Sequence, residues 1–387
     1  MKLLVSCIPY DGGKSGISVY VREVVRELCR QGHELTLLCE PEVDDADIRR
    51  PSTDNPHPDV ECRMSNAVPV VHAPRWTRKA VLSMMWHLFV LPFWIRRHRK
   101  EFDGFVICAA NRRVCTWYPL PTTATVHDLA NFHIPGKYSR LRMFYLAHVL
   151  PFFAKRAQRL VAVSGATKAD MVKFWHCRDE EVTVLYNGIS GISGRSGKSG
   201  ESGESGISGS ILYISRIEHP GKNHVRLIEA YGKLPRKLAE AHPLVIAGAD
   251  WKDAEVVHSA AAASPHANLI RFTGFVPNDE MEKLWGEAGF YVFPSLFEGF
   301  GLSLIEAMAR GIPCACSNNG SLGEIAGDVA ITFAPEDTGA ISDALLRLVS
   351  EPKREREARI ARGREWIKRY SWADHAAGLA KLLEGAS

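Results

Sequence analysis

The apolar positions of this chain fall into short unbroken runs, separated by longer stretches with helical spacing. The first run is "KLLVSCIP" at 2–9. A run of that length without alternation fits a strand covered on both faces. "ISVYVREVVRELCRQGH" at 17–33 follows, with Val21, Val24, Val25 and Leu28 on one face and Gly32 as its stop. That spacing predicts an amphipathic helix. "ELTLLCE" at 34–40 is the next strand, and strand, helix and strand in this order predict a parallel sheet. "FDGFVICAA", "TTATVHDL" and "QRLVAVS" then read as further short strands with helical stretches between them.

The pattern breaks at 188–210, "GISGISGRSGKSGESGESGISGS". A Ser-Gly repeat has no side chains that can build a core, so it predicts a flexible linker. After it the alternation restarts. "ILYISRI", "HPLVIAGA", "ANLIRFTGFV", "GFYVFPS" and "IPCACS" read as strands. "KNHVRLIEAYGKL", "SLIEAMARG", "DTGAISDALLRLVSE" and "REREARIARGREWIKRY" read as helices. The expectation is two α/β units, 1–187 and 211–365, joined by the 188–210 linker. Ligands of such sheets bind beyond the carboxyl ends of the strands, and a cleft shared by two sheets is the natural site.

Composition narrows this picture. A chain of 387 residues exceeds one ordinary core and favours two domains. With 46% apolar and 24% charged residues it is expected to be soluble and globular. A net charge of +4 is too small to suggest nucleic acid as a partner. Nine scattered cysteines without a Cys-x-x-Cys pair fit reduced, packed thiols and a cytoplasmic setting. The opening apolar run is too short for a signal peptide, and no run reaches the length needed to span a bilayer.

The chemistry concentrates in the second half. "EGFGLSLIE" at 298–306 sets two carboxylates, Glu298 and Glu306, around a glycine loop that opens a helix. Glycines let backbone approach a ligand, and a helix N-terminus offers free N–H groups to a phosphate. Glu306, about one turn into the helix, suits a vicinal diol such as a ribose; an ordinary exposed helix glutamate is the bland alternative. In "SRIEHPGKNH", Arg216 ends a strand and Lys222 follows six residues later. Two cations there suit a diphosphate leaving group, Arg as a fork and Lys as a point charge. Taken alone, they would read as surface cations.

Arg-x5-Lys, then "TGFV" after a strand, then Glu-x7-Glu, resembles the retaining nucleotide-sugar glycosyltransferases of GT-B fold. The resemblance is to the group that includes bacterial α-mannosyltransferases and other lipopolysaccharide and capsule transferases. It implies two Rossmann-like domains whose parallel sheets face a central cleft. It implies that Arg216 and Lys222 hold the donor diphosphate and that backbone around Phe275 and Val276 grips the base. Gly299, Phe300, Gly301 and Leu302 would offer N–H groups to the phosphates, Glu306 would bind the ribose, and Glu298 would sit by the anomeric carbon. "SGISVYV" resembles the family's glycine loop, with Gly16 at its second glycine and Ser15 where the first usually stands. "VHDL" resembles its His-Asp segment, with His127 facing the transferred sugar; a satisfied strand-end histidine is the bland alternative. "LYNG" at 185–188 matches the approach to the interdomain linker, and "YSWADHAAGLAKLL" a C-terminal helix, here within 366–387, that crosses back to the first domain.

Two decoys carry less. "YDGGKSG" ends like a P-loop, but Ile8 stands where that loop needs glycine. The Asp-x-Asp in "DDAD" at 44–47 sits in a polar loop. With Arg216 and Lys222 available, no metal or other cofactor is expected. The stretch "RWTRKAVLSMMWHLFVLPFWIRRHRK" at 75–100 sets aromatic and apolar residues between basic clusters. It reads as a core helix with a basic edge, or as an interfacial helix touching a membrane from the cytoplasmic side.

The expected function is transfer of a hexose, with retention, from a nucleotide diphosphate sugar to a surface glycan or lipid-linked acceptor, with GDP-mannose as first donor. A sugar-nucleotide epimerase of the same fold, a P-loop-like NTPase and a non-catalytic binding protein are the alternatives.

Overall fold

A computed structural model describes residues 1–13, 15–41, 48, 68–134, 136, 138–190 and 209–385. The Asp-x-Asp at 44–47, Lys14 of the P-loop-like stretch and all but the ends of the Ser-Gly repeat lie outside the described residues. The chain divides into two compact units, Met1–Ser193 with Tyr370–Ser387, and Gly194–Arg369.

The first unit holds β1 (Lys2–Ser6), β2 (Glu34–Cys39), β3 (Val70–His72), β4 (Gly104–Ile107), β5 (Thr122–Val126), β6 (Arg159–Ala162) and β7 (Val182–Val184). They form one sheet in the order β3-β2-β1-β4-β5-β6-β7. Every pairing is parallel, with Leu3 opposite both Leu35 and Gly104. The order reverses between β1 and β4, which opens a crevice at their carboxyl ends. The helix Gly16–Arg30 buries Val21, Val24, Val25 and Leu28, as its spacing predicts. Gly32, with φ of +83°, takes the left-handed turn after it.

The second unit holds β8 (Ser210–Ile214), β9 (Leu244–Ala247), β10 (Ile270–Phe272), β11 (Ala288–Phe293), β12 (Cys314–Ser317) and β13 (Ile331–Phe333). Their order is β10-β9-β8-β11-β12-β13, again parallel, with the reversal between β8 and β11. Both units are thus open, doubly wound α/β sheets.

The C-terminal helix, Trp372–Glu384, belongs to the first unit and lies along the helix Gly16–Arg30. Close approach there requires glycine: a Cβ on Gly188 would stand 2.1 Å from the Trp372 backbone nitrogen. The Gln31 amide donates to the Ala373 carbonyl at 2.8 Å.

The 75–100 stretch is not one helix. A 3-10 turn (Arg75–Arg78) and a helix (Ala80–Met85) run into a π-helical turn (Trp86–Val90), and the helix Leu91–Arg97 follows. Trp86, Leu88, Leu91 and Ile95 enter the core, as a core helix would, while Val81, Phe89 and Phe93 remain exposed. The eight described cysteines are buried and unbridged. No helix among the described residues is long and apolar enough to cross a membrane.

Candidate functional site

The candidate residues of the second unit follow the carboxyl ends of three strands: Arg216 and Lys222 after β8, Phe275 and Val276 after β10, and Glu298 to Glu306 after β11. Hydrogen bonds tie the first and last of these loops together. The buried Tyr213 hydroxyl donates to the Lys222 carbonyl at 2.8 Å and lies 3.1 Å from Ser295 Oγ. The Asn223 amide donates to the Pro294 and Pro335 carbonyls, and the Leu296 N–H to Gly221. Asn223 adopts φ of +60°, a conformation its short amide tolerates.

The result is a contact between two candidate residues. Lys222 Nζ lies 2.6 Å from Glu298 Oε1, and both side chains are largely screened from solvent. Burial, with the Glu298 carboxylate beside it, holds the Tyr213 phenol well above its ordinary pKa, so Tyr213 stays a donor. Arg216 is more exposed. Its guanidinium lies 5.2 Å from the centre of the Trp251 ring and 3.8 Å from Glu218. Backbone approach fixes its place: Gly248 has φ of +151°, and a Cβ there would meet the Ser215 carbonyl oxygen at 1.9 Å.

Gly299 and Phe300 are buried, and Gly301, with φ of +102°, precedes the helix Leu302–Ala309. A Cβ on Gly301 would reach Leu322 Cδ2 at 2.6 Å. Ser321 Oγ bonds the carbonyls of both Glu298 and Phe300, at 3.0 and 2.9 Å. This turn points its carbonyls inward to Ser321 and is held in one shape. Leu302 opens the helix with its amide at the end where N–H groups lack intrahelical partners. Glu306 is half-buried one turn further on. Phe275 is exposed and Val276 half-buried, next to Gly274 at φ of +70°.

In the first unit, Gly16 is the first residue of its helix and Ser15 is the N-cap, accepting from the Ser18 N–H. Ser15, at the position where the resembled loop has glycine, thus caps the helix here. Asp11 Oδ1 receives the Ser15 N–H and the Ser18 hydroxyl. His127 follows β5 and is buried. Its Nε2 lies 2.7 Å from the Cys108 carbonyl. A carbonyl only accepts, so Nε2 carries the hydrogen and Nδ1 is the ring's acceptor. Burial drives its pKa down to about 4, so the ring is neutral at pH 7.

Sequence spacing does not reveal the network behind His127. Tyr20 meets its ring edge-on at 4.6 Å. His375 Nδ1 donates to the Tyr186 carbonyl, so its Nε2 accepts from the Tyr20 hydroxyl at 2.8 Å. Thr125 Oγ1 then donates to the Tyr20 oxygen at 2.9 Å. The signals were present in the sequence as a tyrosine within an apolar stripe and a histidine on the inward face of an amphipathic helix.

Comparison with known proteins bears on these features. Residues 14–190 match the family model described as Glycosyltransferase Family 4, and residues 200–384 match Glycosyl transferases group 1. "O-antigen chain mannosyltransferase B" of Escherichia coli is 31% identical over 254 residues, covering 64% of this chain and 66% of that protein. "Serotype-specific mannosyltransferase WbdA" of Escherichia coli is 27% identical over 283 residues, covering 69% of this chain and 34% of that protein. The chain thus spans just under two thirds of the first relative and about a third of the second. Among solved structures, sucrose-phosphate synthase from Thermosynechococcus elongatus has a TM-score of 0.74 at 15% identity, covering 100% of this chain and 98% of that one. That likeness carries the fold, two α/β units with parallel sheets, the GT-B type that the sequence implied.

Proposed function

We propose that this chain, whose residues 14–190 match Glycosyltransferase Family 4 and whose residues 200–384 match the group 1 glycosyl transferases, transfers a hexose with retention from a nucleotide diphosphate sugar to a surface glycan or lipid-linked acceptor. GDP-mannose is the first donor to test, since two E. coli relatives are named as mannosyltransferases. The observation that carries the reading is the Lys222–Glu298 contact beside the glycine turn of 299–301. It sets a cation, a carboxylate and a helix N-terminus together at the carboxyl edge of one sheet.

In this reading Lys222 and Arg216 hold the diphosphate, and N–H groups from Gly299 to Leu302 support it. Glu306 takes the ribose hydroxyls, and backbone at Phe275 and Val276 takes the base. Glu298 lies near the anomeric carbon, where positive charge develops. Neutral His127 presents Nδ1 as an acceptor for a sugar hydroxyl. The acceptor hydroxyl attacks on the face of the leaving diphosphate, whose oxygen takes the proton. Retention rests on the resemblance carried by the Glu-x7-Glu segment. No metal or cofactor takes part. The enzyme works in the cytoplasm, in contact with a membrane surface through 75–100.

Thermal-shift screening against GDP, UDP and their sugars tests the donor. A ligand at 100 times its Kd stabilises by about 2.7 kcal/mol. Turnover of the donor that binds, with and without a glycan acceptor, separates transfer from epimerisation, and the anomeric configuration of the product tests retention. If no nucleotide shifts the melting temperature, the reading fails.

A further inference from the structure

The first unit contains one local pattern twice. "VLPFWIRR" occupies 90–97 and "VLPFFAKR" occupies 149–156. The structure repeats as well. In each copy a short helix, Ala80–Met85 or Arg140–Phe144, runs into a π-helical turn, Trp86–Val90 or Tyr145–Val149. A proline-started helix follows, Leu91–Arg97 or Leu150–Ala154. Proline is tolerated there because the first helical N–H groups lack intrahelical partners.

The two copies also share a phase. Leu91, Pro92 and Ile95 are buried, as are Leu150, Pro151 and Ala154. The phenylalanine after each proline points out, Phe93 at 64% and Phe152 at 54% exposure. One loop joins the arms. The Thr116 N–H and hydroxyl both donate to the Leu88 carbonyl, and the Thr116 carbonyl accepts from Arg156 at 2.9 Å. Phe93 meets the Trp117 ring edge-on at 5.5 Å, and the Arg156 guanidinium lies 4.4 Å from the Phe152 ring centre. Both outward aromatics therefore flank residues 116–117. Leu141 at 82% and Phe144 at 59% exposure extend the second arm.

Charge follows the arms. Residues 75–100 contain seven Lys or Arg and no Asp or Glu, and residues 140–159 contain five and none, in a chain whose total charge is only +4. Exposed aromatic and aliphatic side chains set among cations, with almost no acids, match the chemistry of an anionic bilayer surface. Nucleic acid would use the cations but not the exposed Val81 and Leu141. Since no described helix can span a bilayer, such a surface would lie on it.

We propose that the two arms together form a docking face for an anionic lipid bilayer, with Phe93, Phe144 and Phe152 entering the headgroup layer and the flanking cations facing lipid phosphates. This deepens the membrane contact of the preceding reading from one segment to two, and rests on that reading only for its purpose, access to a lipid-linked acceptor.

The test is co-sedimentation of the full chain with phosphatidylcholine vesicles, with and without phosphatidylglycerol. Binding is expected on the anionic vesicles and is weakened by added salt. Phe93→Asp and Phe152→Asp should each lower the partition coefficient about tenfold, and Arg96→Gln with Arg97→Gln should lower it on anionic vesicles alone. Nucleotide-induced thermal shift on the same variants reports folding and the donor site without a bilayer. Equal recovery in the supernatant with both vesicle types overturns the proposal. So does a dimer in light scattering that Phe93→Asp dissolves without any effect on vesicles, which would make a second copy the occupant. Loss from one arm only overturns the two-arm form. Vesicle binding without any nucleotide shift would uphold this surface and sink the glycosyltransferase reading instead.

Discussion

Lys222 Nζ and Glu298 Oε1 stand 2.6 Å apart, joining the loop after β8 to the loop after β11. Two consequences differ for the two cations. Lys222→Ala removes the partner of a largely screened carboxylate, so it should lower stability by about 1–3 kcal/mol as well as weaken a nucleoside diphosphate. Arg216 is half exposed with only loose partners, so Arg216→Ala should leave stability within about 0.5 kcal/mol. Each variant should weaken the diphosphate by roughly 1.5–3 kcal/mol, or about 10- to 150-fold. Calorimetric titration with GDP and UDP, beside chemical denaturation, measures both. Wild-type affinity in either variant would remove that cation from the site.

The two carboxylates of "EGFGLSLIE" should fail differently. Glu306 is assigned to a part of the donor that does not react, so Glu306→Gln should raise the donor KM and leave kcat largely alone. Glu298 is assigned beside the carbon that becomes cationic, so Glu298→Gln should lower kcat by about 100-fold or more. Steady-state kinetics on both decides the matter. Equal rises in KM alone would make both acids donor clamps.

The parts of the fold legible in the sequence were the long interior strands and the amphipathic helices that cover them. β3, β7 and β13 were outside the apolar runs, and each is a three-residue strand at a sheet edge. Three residues cannot display a period, and the Val70–His72 strand is only partly covered. The 75–100 stretch was read as one helix because its apolar content is continuous, whereas a π-helical turn and Pro92 change its phase midway. The candidate loops of the second unit were legible because glycine and charge stand at fixed spacing after strands. Their mutual contact was not. It depends on Tyr213 and Asn223 bonding backbone carbonyls, some of them more than 70 residues away. Tyr20 and His375 lie 355 residues apart, so only the fold brings them together.

Gly248 is a stringent backbone test. Its Cβ would stand 1.9 Å from the Ser215 carbonyl oxygen, which is backbone and cannot rotate away. Gly248→Ala should therefore cost at least about 1–3 kcal/mol from the φ of +151° alone. It should also shift Arg216, the next residue along, and raise the Kd for a diphosphate. Gly286→Ala, with open space around its Cβ, is the control and should be neutral or slightly stabilising, since the site is helical. Chemical denaturation of both variants checks this, and a Gly248→Ala protein as stable as wild type would contradict the geometry.

Chelation should cost little activity. In the proposed reading Arg216 and Lys222 supply the charge on the diphosphate that a divalent ion supplies elsewhere. Turnover of the donor is expected to survive EDTA. Complete loss, restored by manganese or magnesium, would return attention to the Asp-x-Asp at 44–47.

Stability should fall on mild acidification, in part for a reason located at His127 and His375, beside the buried His87 and His224, whose pKa values burial also lowers. Burial outweighs the hydrogen bonds to Cys108 and Tyr186 and holds both pKa values down to about 4, from an ordinary 6.5. Between those values the unfolded chain binds protons that the folded chain refuses. The stabilisation is therefore complete above about pH 6.5 and is lost as pH falls toward 4. Each unit of depression corresponds to about 1.4 kcal/mol, so the pair accounts for several kcal/mol across that window. His375→Gln removes one titrating ring and keeps a side-chain amide that can still bond Tyr20. It should lower stability at neutral pH, yet flatten the loss between neutral pH and about pH 5. Urea denaturation of wild type and His375→Gln across this range measures the slopes. An unchanged slope in the variant would mean that His375 does not titrate as a buried neutral ring.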